Sequence, residues 1–216
     1  MERAAVVRPR GQLPIFAAAS SDPAPGDLAG LLIGPGQVVR MGGTARVSVV
    51  VDAPWRVHAL DAELRLRGLG MQWEPSSVEG HFGVRTSYSG VLSPLSSLWL
   101  RGAVKAPPAG FLLDGVRLRL WFTAAGTADP DGAEVLLRLG ASDEQCWTPA
   151  ARSLAVLGFP AELTRWRESA RPGDDEGGGP RPAQPALRIS GRRRLRRFAE
   201  LIGDALDVTP AGFWPG

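Results

Sequence analysis

The chain has 216 residues, 44% of them hydrophobic, with 25 basic and 22 acidic side chains and a net charge of +3. That is enough apolar material for a sizeable core and too small a charge imbalance for a domain that is basic throughout. The single cysteine, Cys146, excludes an intrachain disulfide and any multi-cysteine metal site, and no stretch approaches the roughly 20 apolar residues of a membrane-spanning helix.

The segment Met1–Ser21 carries Pro9, Arg10, Gly11 and Pro14, which break any apolar run of signal-peptide type. A soluble cytoplasmic or peripheral location is therefore the default expectation. Residues 1–43 are rich in Pro, Gly and Ala and read as an extended N-terminal arm, with Leu28, Leu31, Leu32 and Ile33 as an edge strand or a helical turn.

From Thr44 the pattern changes. Ala45, Val47, Val49 and Val51 alternate with Thr44, Arg46, Ser48 and Val50, the period of a strand. Leu60, Ala62, Leu64 and Leu66 alternate in the same way with Asp61, Glu63, Arg65 and Arg67, which predicts a second, amphipathic strand. Shorter strands are expected at residues 81–88 and 98–105. Val116, Leu118, Leu120 and Phe122 then alternate with Arg117, Arg119, Trp121 and Thr123, so a further strand is predicted with Trp121 on its outer face among Arg117 and Arg119, either as a contact residue or packed under the N-terminal arm. Asp129-Pro130-Asp131-Gly132 has turn chemistry and Ala133 to Leu139 supplies the returning strand. A last strand is expected between Arg152 and Phe159.

These elements predict an all-β fold, an antiparallel β-sandwich of Ig-like or jelly-roll-like type, over residues 44–166. Residues 167–189 read as a Pro/Gly-rich flexible linker. Residues 190–216 read as a basic amphipathic helix with an aromatic tail, because Leu195, Phe198, Leu201, Ile202, Ala205 and Leu206 share a helical face after Ser190 as N-cap.

On the strand reading, Val47-Ser48-Val49-Val50-Val51-Asp52, then Leu60 to Leu66, Val78-Glu79-Gly80-His81-Phe82 and Asp114 to Gly126 together resemble the strands of a cohesin-like domain in the broad, non-cellulosomal sense. The similarity covers about residues 44–140. It implies a sandwich that binds another protein module or a sugar through a sheet face. The position where that pattern has Tyr-Asp-Pro is Arg67-Gly68-Leu69 here.

Chemistry-bearing motifs are sparse. His58, His81 and Cys146 have no metal-ligand spacing, Asp129, Asp131 and Glu134 lack the rest of a calcium loop, and no nucleophile elbow, phosphate loop or dinucleotide fingerprint occurs. The expectation is a protein that is not an enzyme and needs no cofactor or small-molecule substrate. The residues expected to meet partners are Arg117, Arg119 and Trp121 on the outer strand face, and Arg192, Arg193, Arg194, Arg196, Arg197, Phe198, Phe213 and Trp214 in the C-terminal region. The five arginines oppose the dipole at a helix N-terminus, so helix stability does not account for them. The leading functional expectation is a structural or adaptor subunit that binds other proteins of an assembly. The alternative is a surface-associated module whose Arg-rich helix holds an anionic membrane or nucleic acid.

Overall fold

The computed structural model describes residues 22–129, 131–167 and 183–215. Helical structure begins early. Pro25 opens a 3-10 turn, Pro25–Leu28, since its fixed φ suits a first helical position, and Asp27 accepts the free Ala24 N–H at 2.9 Å. The turn runs into a short helix, α1 (Ala29–Ile33), which Gly34 ends. A hairpin follows, β1 (Gln37–Met41) and β2 (Thr44–Val51), turning at Gly42 with φ 58°. Helix α2 (Pro54–Leu66), strands β3 (Met71–Pro75) and β4 (Phe82–Thr86), and helix α3 (Ser93–Trp99) complete the first half.

A small hairpin of β5 (Leu100–Arg101) and β6 (Val104–Lys105) lies between the halves. The second half then repeats the first: α4 (Gly115–Ala125), β7 (Gly126–Ala128), β8 (Glu134–Arg138), α5 (Glu144–Val156), β9 (Glu162–Trp166), β10 (Gln184–Ser190) and α6 (Arg192–Ile202). Each half builds a four-stranded antiparallel sheet, and the spatial orders match, β1-β2-β4-β3 and β7-β8-β10-β9.

The halves join where α1 packs on α4. Contact is close enough that a Cβ on Gly30 would stand 2.0 Å from the Arg117 carbonyl oxygen, so only glycine allows the two backbones to meet. Gly34 is constrained similarly, since its Cβ would fall 2.4 Å from the Trp121 indole nitrogen. Each sheet turns one face to the helices. Ala45, Val47, Val49, Val51 and Val84 on the first sheet, and Val135, Leu137, Leu187 and Ile189 on the second, are buried in one continuous core with Leu118, Trp121 and Phe122 of α4. Among the described residues no helix covers the opposite faces, on which Arg138 and Ala186 are nonetheless buried.

An all-β sandwich is thus corrected to a mixed α/β architecture, and the reasons are local. Residues 60–66, expected as a strand, belong to α2, whose core contacts Val57, Leu60 and Leu64 follow helical spacing while Leu66 is 63% exposed. Residues 116–122, also expected as a strand, lie in α4. Leu118, Leu120, Trp121 and Phe122 are all fully buried there, so the apparent alternation marks no outer face. The expected strand at 152–159 contains the end of α5. Within the segment read as an arm, residues 25–41 form the 3-10 turn, α1 and β1, while residues 1–21 lie outside the described residues. Of the linker reading, 168–182 lies outside the described residues, and Gln184–Ser190 forms β10 between β8 and β9. With helices in place of two of the strands that carried it, the cohesin-like resemblance does not hold. Strand β2, strand β4, strand β8 with its turn at Gly132, and the C-terminal helix fall where the residues predict elements.

Candidate nucleic-acid interface

The ends of α1 and α4 point toward the junction of the two sheets, and a buried cation caps each. Lys105, carried in by β6, donates from Nζ to the carbonyls of Gly34 at 3.0 Å and Gly36 at 2.7 Å, and pairs with Asp143 Oδ2 at 2.7 Å. Gln37 holds the same Asp143 oxygen at 2.8 Å. At the end of α4, Arg56 donates to the carbonyls of Phe122 at 3.1 Å, Thr123 at 2.7 Å and Gly126, and pairs through Nε with Asp52 Oδ1 at 2.7 Å. Cations suit these positions because the last carbonyls of a helix carry partial negative charge. Asp52 also takes Arg138 Nη1 at 2.6 Å through its other oxygen. Burial alone would raise the Asp52 pKa, but Arg138 and Arg56 beside it reverse the effect and hold it at about 2. Burial likewise lowers Arg56 to about 10 against the pull of Asp52.

Beside this junction lies the open surface. On the first sheet the outward positions are Gln37 and Val39 of β1, Arg46, Ser48 and Val50 of β2, Arg85 of β4 and Gln72 and Glu74 of β3, as strand register requires. On the second they are Leu136 and Arg138 of β8, Gln184 and Arg188 of β10, and Glu162, Thr164 and Trp166 of β9. A groove of about 320 Å³ crosses from one sheet to the other, lined by Gln37, Arg46, Ser48 and Arg85 on one side and Arg138 and Gln184 on the other.

The arginines of this surface differ in freedom. Arg85 is gripped by both oxygens of Glu74, at 2.8 and 3.1 Å. Arg188 lies between Glu162 at 3.1 Å and Glu134 at 3.9 Å. Arg138 stacks on Trp166 with its guanidinium carbon 4.9 Å from the ring centroid. Arg46 rests on Tyr88 at 4.9 Å and has no ion-pair partner among the described residues. Of these four arginines it is the one without a carboxylate partner among the described residues. Its partner-free, aromatic-supported placement comes from a strand position whose neighbours Ala45 and Val47 are fixed in the core.

The expected contact residues all lie off this surface, and all but one group of them are engaged within the molecule. Trp121, expected to face outward, is fully buried in α4 and donates from its indole to the Arg138 carbonyl at 2.8 Å. Arg119 is bonded to Glu63 at 2.7 Å and to the carbonyl of Ile202 at 2.8 Å, and Arg117 to the Leu112 carbonyl at 3.0 Å. These are internal braces. Phe198 is buried edge-on against Phe122 and Phe159. Trp214 packs on Phe122 at 5.0 Å and donates to the Gly203 carbonyl at 2.8 Å, while Phe213, 45% exposed, leans on Trp55 at 5.9 Å. The exception is the arginine run, since Arg192, Arg193, Arg194, Arg196 and Arg197 are all exposed on α6. Reading the sequence missed Arg46, Arg85, Gln37 and Gln72. The outward set of the well-predicted β2 strand would have found Arg46.

The two halves define a class of architecture, a duplicated unit with paired central helices and two sheets facing the same way. No protein-family model and no curated protein matches the chain. Solved structures do. The homing endonuclease I-WcaI bound to its DNA recognition sequence superposes with a TM-score of 0.54 at 9% identity, over 84% of this chain and 81% of that one. The N-terminal LAGLIDADG domain of DUF199/WhiA gives 0.53 at 14% identity, over 84% and 82%. Full-length DUF199/WhiA from Thermatoga maritima gives 0.56 at 11% identity, over 88% of this chain, which spans 58% of that protein. At these identities the likeness is one of fold, and the fold is the LAGLIDADG fold.

Three further expectations are corrected by these neighbours. The cohesin-like resemblance gives way to the LAGLIDADG fold. The protein-adaptor reading loses the sandwich face on which it rested, and one of the solved structures that share the fold is bound to DNA. The expectation of a protein that is not an enzyme is withdrawn as well, since a homing endonuclease shares this fold. Among the described residues no group of three or more His, Cys, Asp or Glu side chains could hold a metal, and no helix is long and apolar enough to cross a membrane.

Proposed function

We propose that the chain binds double-stranded nucleic acid on the open faces of its two sheets. The carrying observation is the groove that crosses both sheets with Arg46 unpaired at its side and Gln37, Ser48, Arg85 and Gln184 around it. Arginine matches the paired acceptors of a guanine edge and the oxygens of phosphate, and a glutamine amide matches adenine. Strands of an antiparallel sheet fit the major groove, where every base pair shows a distinct pattern. Two sheets of equal topology side by side would give two successive contact zones along one duplex.

A mixed-sequence duplex titrated with the chain tests this reading, with strand integrity followed in the presence of Mg²⁺. The Arg46→Gln variant is expected to bind at least about tenfold more weakly, while Arg101→Gln, whose guanidinium is held by the Leu98 and Leu100 carbonyls and not on either outward sheet face, binds as the wild type does. Equal binding by Arg46→Gln and wild type would count against the sheet face as the contact surface.

A further inference from the structure

The arginine run on α6 lies on the other side of the second sheet. Gly191, with φ 106°, turns the chain out of β10 so that α6 lies back across the sheet's inner face. Leu195, Phe198 and Ile202 are buried there at 7%, 0% and 2% exposure, in the same core as Val135, Leu137, Leu187 and Ile189. Leu136 and Arg188 alternate with those residues and face the opposite way. The arginine side of α6 and the open sheet face therefore belong to opposite surfaces of the molecule.

The apolar stripe that would have entered a lipid surface is consumed by the protein's own core. What remains outside is charge. Arg192, Arg193, Arg194, Arg196 and Arg197 are all exposed, and none forms an ion pair among the described residues. They span about 8 Å of helix axis. Arg192 and Arg196 line a groove that also holds Asp129, Asp131, Glu134, Glu200 and Asp204, whereas Arg193, Arg194 and Arg197 do not line it. Arg194 is steadied by the Ser190 carbonyl at 3.0 Å and keeps its other donors free. The placement opposes the helix dipole, so it does not serve the helix. A dense row of guanidiniums complements a row of phosphates, each able to take two parallel hydrogen bonds.

From this we infer that the arginine face of α6 is a second nucleic-acid-binding surface, so that one chain holds two duplex segments at once. The inference rests on the sheet-face reading of the previous subsection. A duplex seated on the sheets cannot also lie along α6, because the second sheet and the helix stand between the two surfaces.

The experiment immobilises one duplex on beads, adds the full chain and measures how much of a free, labelled duplex is retained. The wild type is expected to retain it. The triple variant Arg193→Gln, Arg194→Gln, Arg197→Gln should stay on the immobilised duplex while retention of the free duplex falls at least about fivefold, with the salt slope of that retention reduced by about 3. Arg46→Gln should weaken attachment to the beads themselves. If the triple variant retains free duplex as the wild type does, two copies joined to one another, each holding a duplex on its own sheets, account for bridging and the inference is overturned. Wild type that occupies the beads yet retains no free duplex overturns it too, and would leave an acidic protein as the partner of α6. Failure of the wild type to bind the beads at all would instead remove the sheet-face reading, and this inference with it.

Discussion

Asp52 and Arg138 are 86 positions apart in the chain and 2.6 Å apart in the structure. Asp52 follows β2 in the first half and Arg138 ends β8 in the second, so this ion pair ties the two halves beside the groove. Arg56 completes the cluster from α2 and caps α4.

Replacing the carboxylate should therefore be costly. Asp52→Asn leaves Arg56 and Arg138 buried without compensating charge, and a loss of about 3 kcal/mol or more is expected. Urea denaturation followed by Trp fluorescence measures it. A change below about 1 kcal/mol would mean that the cluster is better solvated than its burial implies.

The same group sets an acid response. In the folded protein Asp52 titrates at about 2, against an ordinary 3.8. Its folded-state pKa is depressed, so its contribution is complete above pH 3.8 and is lost as pH falls toward 2, where the unfolded chain binds the extra proton. The contribution is about 2 kcal/mol. Stability measured between pH 5 and pH 2 should fall more steeply in the wild type than in Asp52→Asn.

The contact of α1 with α4 makes Gly30 intolerant of any side chain. Gly30→Ala places a methyl 2.0 Å from the Arg117 carbonyl oxygen and should destabilise by about 3 kcal/mol. Gly26 has nothing within 4 Å of a built Cβ, so Gly26→Ala is the control and should be close to neutral. Thermal unfolding of the two variants compares them directly.

Cys146 is fully buried, and burial pushes its thiol up to about 11. A thiol reagent at pH 8 should modify the native chain slowly and the urea-unfolded chain fast. Equal rates would show that α5 opens freely.

How far the residues themselves disclosed this fold depended on how each element is buried. Strand β2 was legible because only one of its faces is covered, leaving Arg46 and Ser48 to alternate with Val47 and Val49. Helix α2 was misread because Leu60 and Leu64, four apart, satisfy strand and helix spacing alike, and the exposed Leu66 happened to extend the alternation. Helix α4 carries no readable stripe, since a helix enclosed on nearly every side is apolar nearly all round. Pro185 disguised β10 by sitting inside a strand. The close approach of Gly30 and Gly34 to α4 left no trace in hydrophobic periodicity, because it is set by backbone distance. The α6 arginines were visible as a charge run. The sheet-face residues became a surface only once two distant halves were placed side by side.

Whether the open sheet faces hold a duplex is decided by the salt dependence of duplex affinity for the wild type and for the double variant Arg46→Gln, Arg85→Gln. Wild-type affinity should fall linearly on logarithmic axes between 50 and 200 mM salt, and the double variant should bind at least about tenfold more weakly with a slope smaller by about 2. An unchanged slope and affinity in the double variant, or no duplex binding by the wild type at 50 mM salt, would contradict the account.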